Sequence, residues 1–235
     1  MRVIRAAGHA TLRAMKHLIR PATPSDAPFL AWVLQESARS HLPFGVWDLA
    51  FPGPDGFRLP VLERLVRAEA RSFCHASGFL VAEVDGEPAA GLTGYDNPKV
   101  TGGSAFAAAM QETCAGIGWG DAQRTALGAR IVPFLECIPE SPEDTWIVEF
   151  VATKPAYRGR GLVKALLEAI LERGRERGHV RSQIGVLIGN HPAQRAYEGA
   201  GFRVVDEKRS PAFEATFGGP GIRRLLRAEA GSSSK

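Results

Sequence analysis

Apolar residues recur along this chain with two periods, and the alternation between them outlines a mixed order of strands and helices. LIRPA (18–22) predicts a short strand, and TPSDAPFLAWVLQESA (23–38) predicts a helix. In that helix Phe29, Leu30, Val33 and Leu34 recur at helical spacing behind Ser25 and Asp26 as N-cap candidates. The stretch 40–60 is rich in Pro, Gly and aromatic residues and reads as an irregular insert, followed by a second helix over 61–73. GFLVAEV-DGE-PAAGLTGY (78–95) predicts a hairpin turning at Asp85-Gly86. Residues 96–145 are Ala-rich and helical, broken near Gly116–Gly120. Next come a strand over 146–153, a helix from about 158 to 177, a strand over 182–188 and a helix over 192–199, then strands near 202–209 and 221–228. There is no internal repeat and no Ser/Gly linker, so the order predicts one α/β domain over 18–228. A connection as long as 96–145 marks a lid or an interface.

Composition narrows the classes. The 235 residues are 45% hydrophobic, enough for a substantial core. Net charge is +4, from 29 basic against 25 acidic residues, with Arg2, Arg5, Arg13 and Lys16 ahead of any acid. That balance lacks the concentrated stripe and recognisable motif of a nucleic-acid binder. No run of apolar residues is long enough to span a membrane. Cys74, Cys114 and Cys137 show neither CxxC spacing nor nearby histidine pairing, so the expectation is no metal and a reducing, cytoplasmic setting. Residues 1–17 have the Arg-rich, acid-free composition of a transit peptide without the apolar core of a secretory signal. The plainer reading, a flexible extension, is preferred, and 229–235 reads as a disordered tail.

The chemistry-bearing stretch is YRGRGLVKALLEAI (157–170), directly after the strand WIVEFVATKP (146–155). Strand, Gly-containing turn and helix N-terminus together suit an anion, because a helix start leaves N–H groups unpaired at the positive end of the macrodipole. The dinucleotide pattern is incomplete: Gly159-Arg160-Gly161 is followed by Leu162, Val163 and Lys164, with no third glycine and no Walker-type loop. Taken alone, the turn supports phosphate binding and a purely structural role about equally.

A second stretch separates these readings. NHPAQRAYEGAGF (190–202) places Asn190, Ala193, Tyr197 and Gly201-Phe202 after the strand 182–188. Together with Val151–Gly161 it resembles the GNAT superfamily of acyl-coenzyme A-dependent N-acyltransferases. In that family an Arg/Gln-x-x-Gly-x-Gly/Ala turn binds the cofactor pyrophosphate; here it falls on Arg158, Gly161 and position 163, which is Val163 where the family prefers Gly or Ala. The opening IRPATPSDA also looks like the family's first strand and helix start.

The resemblance implies a mixed, mostly antiparallel twisted sheet of about six or seven strands flanked by helices. It implies acetyl-coenzyme A as acyl donor, with the pyrophosphate on the backbone of Gly159, Arg160, Gly161 and Leu162. The pantetheine arm would run along Phe150, Val151, Ala152 and Thr153. It also implies Tyr197 as the acid that protonates the departing thiolate, its pKa of about 10 keeping it protonated at neutral pH. A core tyrosine is the alternative. Asn190 either caps the helix or touches cofactor, and Tyr157 and Arg158 either reach phosphate or face solvent. Glu149 is the candidate base; by the strand period it shares a face with Val151 and Thr153. An ion pair with Arg181 or Arg20, or a water relay in its place, stays open.

On the acceptor side, Trp47, Trp119, Asp96, Glu136, Glu140, Glu143 and Asp144 are available to box an aromatic group or attract an ammonium, or to serve as core and solvated face. The reading is an N-acetyltransferase for a small or amino-acid-like primary amine by direct attack in a ternary complex, and a homodimer. A non-catalytic acyl-coenzyme A sensor is the alternative.

Overall fold

The computed structural model describes residues 17–97 and 103–228, so the expected terminal extension and tail, apart from His17, lie outside the described residues. Seven strands form one sheet in the order β1-β2-β3-β4-β5-β7-β6. They are β1 (His17–Pro21), β2 (Phe79–Val84), β3 (Glu87–Asp96), β4 (Thr145–Thr153), β5 (Arg181–Leu187), β6 (Arg203–Arg209) and β7 (Gly221–Ala228). All neighbours are antiparallel except β4 and β5. This is the mixed, mostly antiparallel sheet expected.

The β2–β3 hairpin turns at Asp85 (φ 51°) and Gly86 (φ 87°), two consecutive left-handed residues whose twist matches the flanking strands. After β1 the chain enters α1 (Ala27–Arg39) through a short 3-10 turn. There Asp26 accepts hydrogen bonds from the N–H (2.7 Å) and hydroxyl (2.9 Å) of Thr23, while Arg20 grips the same carboxylate at 2.8 and 2.9 Å. Asp26 stands at the N-cap position of α1, but its side chain reaches back to Thr23 rather than capping the helix, and Ser25 contacts the Thr23 hydroxyl.

The stretch 40–60 is more ordered than its composition predicts. It contains α2 (Val46–Ala50) and the start of α3 (Asp55–Arg67), a helix that carries Pro60 and ends six residues before the expected limit of 73. Two arginines hold it: Arg39 reaches Asp48 (2.7 Å) and Asp55 (2.8 Å), and buried Arg58 reaches Asp48 (2.9 Å), Asp55 (2.8 Å) and the Phe51 carbonyl (3.0 Å). These pairings join residues up to sixteen apart and leave no local signature.

Helices α4 (Ser104–Gly116) and α5 (Asp121–Glu136) occupy the long connection, broken between them as predicted. They are followed by α6 (Leu162–Glu176) and α7 (His191–Gly199). A further helix, α8 (Pro211–Phe217), was not anticipated; Ser210 caps it by accepting from the Phe213 N–H at 3.3 Å.

The sheet separates two apolar cores. Residues of α1, α2, α3, α4 and α5 gather on one face with Phe79, Val81 and Ala152. On the other face α6 and Tyr197 of α7 pack on Ala82, Leu92, Val148 and Ile184. A smaller cluster joins α8 to Cys137 and Ile222.

Candidate active site

The site begins with an irregularity in β4. Gly91 of β3 faces Ala152 of β4, but Thr93 faces Glu149, so two steps along β3 correspond to three along β4. The extra residue is a bulge, and Phe150 within it has φ 54°, a conformation that costs a bulky residue about 1–2 kcal/mol. On the other side, the parallel ladder to β5 covers only Thr145–Val148 against Arg181–Ile184. Beyond it the two strands part, and the β4 edge from Glu149 to Thr153 has no strand partner on that side.

The bulge also corrects the expected facing. Glu149 lies opposite Thr93 and Phe150 packs with the α1 side, while Val151 packs on the α6 side, where Thr153 stands opposite Ala90. Glu149 therefore does not share a face with Val151 and Thr153, because the inserted residue reverses the alternation.

Glu149 is partly buried beside Tyr95. Desolvation raises its pKa from 4.5 to about 7, against the opposing pull of the nearby Tyr95 hydroxyl. Neither proposed ion-pair partner is available: Arg20 is held by Asp26 and Glu83 (2.8 and 2.7 Å) and Arg181 by Asp144 (3.0 Å). A carboxylate left without a cation in an apolar cleft is the arrangement that tunes a proton acceptor toward neutral pH.

At the far end of β4 the turn leads into α6. Gly159 (φ 74°) and Gly161 (φ 78°) are both left-handed, and Gly161 is the N-cap of α6 with no side-chain cap. A Cβ at either glycine would meet nothing within 4 Å, so the glycines serve the backbone path and the space before the first-turn N–H groups is open. That geometry fits a diphosphate, and Arg158, Arg160 and Lys164 surround it with positive charge. Arg158 donates to the Thr153 carbonyl at 3.3 Å, and Arg160 lies over the Tyr157 ring at 5.2 Å. Val163 packs against the α6-side core, which accommodates the side chain where the family pattern has a smaller one.

The third part is α7. The Ala193 N–H donates to the Asn190 side-chain oxygen (3.1 Å), and the Asn190 amide donates to the Ser40 hydroxyl (2.6 Å). Asn190 is thus a helix cap that also ties α7 to the loop after α1. Tyr197 is buried, lines the cleft, and has its phenol pKa pushed further up by burial, which keeps its proton in place at neutral pH. Glu149, Phe150, the turn 158–163, Asn190, Ala193 and Tyr197 all line one continuous cleft of about 1710 Å³.

The family model for the acetyltransferase (GNAT) family matches residues 47–202. The chain belongs to the GNAT acetyltransferase family. Its fold is similar to a solved acetyltransferase (TM-score 0.65, 19% identity, covering 90% of this chain and 98% of the other). It also resembles an N-acetyltransferase from Staphylococcus aureus Mu50 (TM-score 0.61, 21% identity, 89% and 99% covered). A third likeness is to the acetyltransferase yncA from Salmonella typhimurium, solved with its cofactor acetyl-CoA (TM-score 0.52, 16% identity, 93% and 96% covered). A search of the curated proteins finds no match.

In this GNAT acetyltransferase some of the residues the sequence singled out for the acceptor line the cleft and others are engaged elsewhere. Trp47 and Glu140 line the cleft, but Trp119 packs on Phe51 at 5.5 Å. Asp96 is held by Arg177 and by His179 (2.7 Å), Asp144 by Arg181, and Glu136 by the Ser210 hydroxyl (2.9 Å). The residues that do surround Glu149 include Tyr95, Phe73 and Phe106, from the end of β3, the loop before β2, and α4. No local spacing marks them, because they meet only through the fold.

Proposed function

We propose that this acetyltransferase moves an acetyl group from acetyl-coenzyme A to the primary amine of a small or amino-acid-like acceptor, by direct attack with both substrates bound. The observation that carries the reading is the β4 bulge. It falls where the β4–β5 ladder ends and puts Glu149 on the cleft that Tyr197 and the α6 turn also line. The N–H groups of Gly159, Arg160, Gly161 and Leu162 would hold the pyrophosphate, and the free edge Phe150–Thr153 the pantetheine arm. Bound there, acetyl-coenzyme A supplies a thioester carbonyl open to attack.

Glu149, its pKa near 7, accepts a proton from the acceptor ammonium and leaves a neutral nucleophile. N–H groups on the free β4 edge donate to the carbonyl oxygen as it gains negative charge, a contribution of about 3–4 kcal/mol for a well-placed donor. Tyr197 gives its proton to the departing sulfur and regains one from solvent, while the attacking nitrogen releases its second proton to water as the amide forms. In our reading Asn190 and Ala193 shape the cofactor wall through the α7 cap. Three buried, free thiols fit the cytoplasm as the working compartment.

The test follows thiol release from acetyl-coenzyme A with a panel of primary amines. Amine-dependent release supports the reading. Tight cofactor binding with no release for any amine would identify a sensor instead.

A further inference from the structure

The acceptor end of the cleft has a composition that selects among amines. Phe73 stacks on Phe106 at 4.5 Å, on Tyr95 at 5.1 Å and on Phe150 at 6.2 Å, with interplanar angles of 23–25°. These four rings line the cleft beside Glu149, and Met110 and Ile131 add apolar surface from α4 and α5. Among the described residues, the other carboxylates on the lining are Glu36, 3.8 Å from Arg39, and the exposed Glu140. Glu149 is therefore the desolvated carboxylate of a lining rich in aromatic and aliphatic groups, which also carries Asn97, Gln111, Arg124 and Ser141. The volume, about 1710 Å³, exceeds the roughly 300–1,000 Å³ of a single drug-sized site and leaves room for a bulky acceptor beside the cofactor arm.

Gln183 adds a buried polar point. It alternates along β5 with Ile184 and Val186, which belong to the α6-side core, so it lies on the cleft side with Ile147, its ladder partner. It is 6% exposed, its amide nitrogen donates to the Ser141 hydroxyl at 2.6 Å, and its Oε1 has no partner among the described residues. Buried acceptors are rarely left unpaired, so a bound molecule that brings a donor to this side of the cleft would complete the pairing.

We infer that the acceptor is an arylalkylamine: one primary ammonium for Glu149, an aromatic body against the Phe73–Phe106–Tyr95 wall, and one further donor for Gln183. This inference rests on the N-acetyltransferase reading above. A polyamine would bring several ammonium groups to one buried carboxylate. A peptide would set polar amides, rather than a ring, against the Phe73–Phe106–Tyr95 face.

The experiment measures kcat/KM with acetyl-coenzyme A for tryptamine, phenethylamine, spermidine and an alanine-terminated tripeptide, with octanoyl-coenzyme A as a second donor. Tryptamine is expected to exceed spermidine and the tripeptide by about tenfold or more, the scale on which a pocket group discriminates. Phe106→Ala is expected to raise KM for tryptamine by about tenfold at near-constant kcat. Gln183→Leu is expected to erase the preference for tryptamine over phenethylamine. If Phe106→Ala loses acetyl-coenzyme A binding, Phe106→Leu, which keeps apolar volume but not the ring, carries the same test. Spermidine or the tripeptide turning over as well as tryptamine overturns the inference while leaving an N-acetyltransferase. A donor preference for octanoyl-coenzyme A overturns it by assigning the apolar wall to the acyl chain. No release with any amine overturns the underlying reading as well.

Discussion

Replacing Glu149 by Gln should make the protein more stable and far less active, and the two effects come from the same burial. The carboxyl pKa stands at about 7 in the folded chain against an ordinary 4.5. At about 1.4 kcal/mol per pH unit, this amounts to on the order of 3 kcal/mol. For an acid whose folded pKa is raised, the sign is definite: below pH 4.5 the group is neutral in both states and costs nothing. As the pH rises from 4.5 through about 7 the unfolded chain ionises first, and stability is lost until the full penalty stands above pH 7. Glu149→Gln keeps the size and shape of the side chain beside Tyr95 and removes the charge. Chemical denaturation should therefore show wild type and variant equal near pH 4 and the variant ahead by up to about 3 kcal/mol at pH 8. In the same variant, kcat/KM for an amine should fall by about 10²–10⁴-fold and lack the rising limb expected of wild type around pH 7. Full activity with an unchanged limb would refute Glu149 as the base. A stability difference independent of pH would refute the desolvation argument.

Other expectations follow from the same geometry. Tyr197→Phe retains the ring in the α6-side core and removes the hydroxyl, so turnover should drop by about 10²–10⁴-fold with acetyl-coenzyme A affinity nearly unchanged. A loss of stability with normal turnover would make the hydroxyl structural. Val132, Leu135 and Ile138 stand 42–50% exposed at and just beyond the end of α5, and we propose that a second copy covers them. A strictly monomeric mass by light scattering at micromolar concentration would exclude that homodimer.

What could be read from the chain alone was what local spacing encodes. The Asp85-Gly86 turn, the glycines ahead of α6 and the Asn190 cap depend on residues within a few positions of one another, and each stands where the pattern puts it. The β4 bulge depends on register against β3, strands separated by the whole 97–144 connection, so the facing of Val151 and Thr153 was misread. Pro and Gly density hid α2 and the start of α3, which pack into the α1-side core and are tied by Arg39 and Arg58 to Asp48 and Asp55. Tyr95 and Phe73 join Glu149 only through tertiary packing, so no motif announced the acceptor wall.

The claim at the centre of this account is that the turn between β4 and α6 binds the pyrophosphate of acetyl-coenzyme A through its backbone. Gly161 has φ 78° and open space at its Cβ position, so Gly161→Val acts by straining the left-handed backbone path that shapes the nest. Calorimetric titration of acetyl-coenzyme A into folded wild type and folded Gly161→Val is the direct measurement. The account predicts saturable binding to wild type and at least a tenfold weaker affinity in the variant, about 1.4 kcal/mol or more. Equal affinity in the two proteins would contradict it.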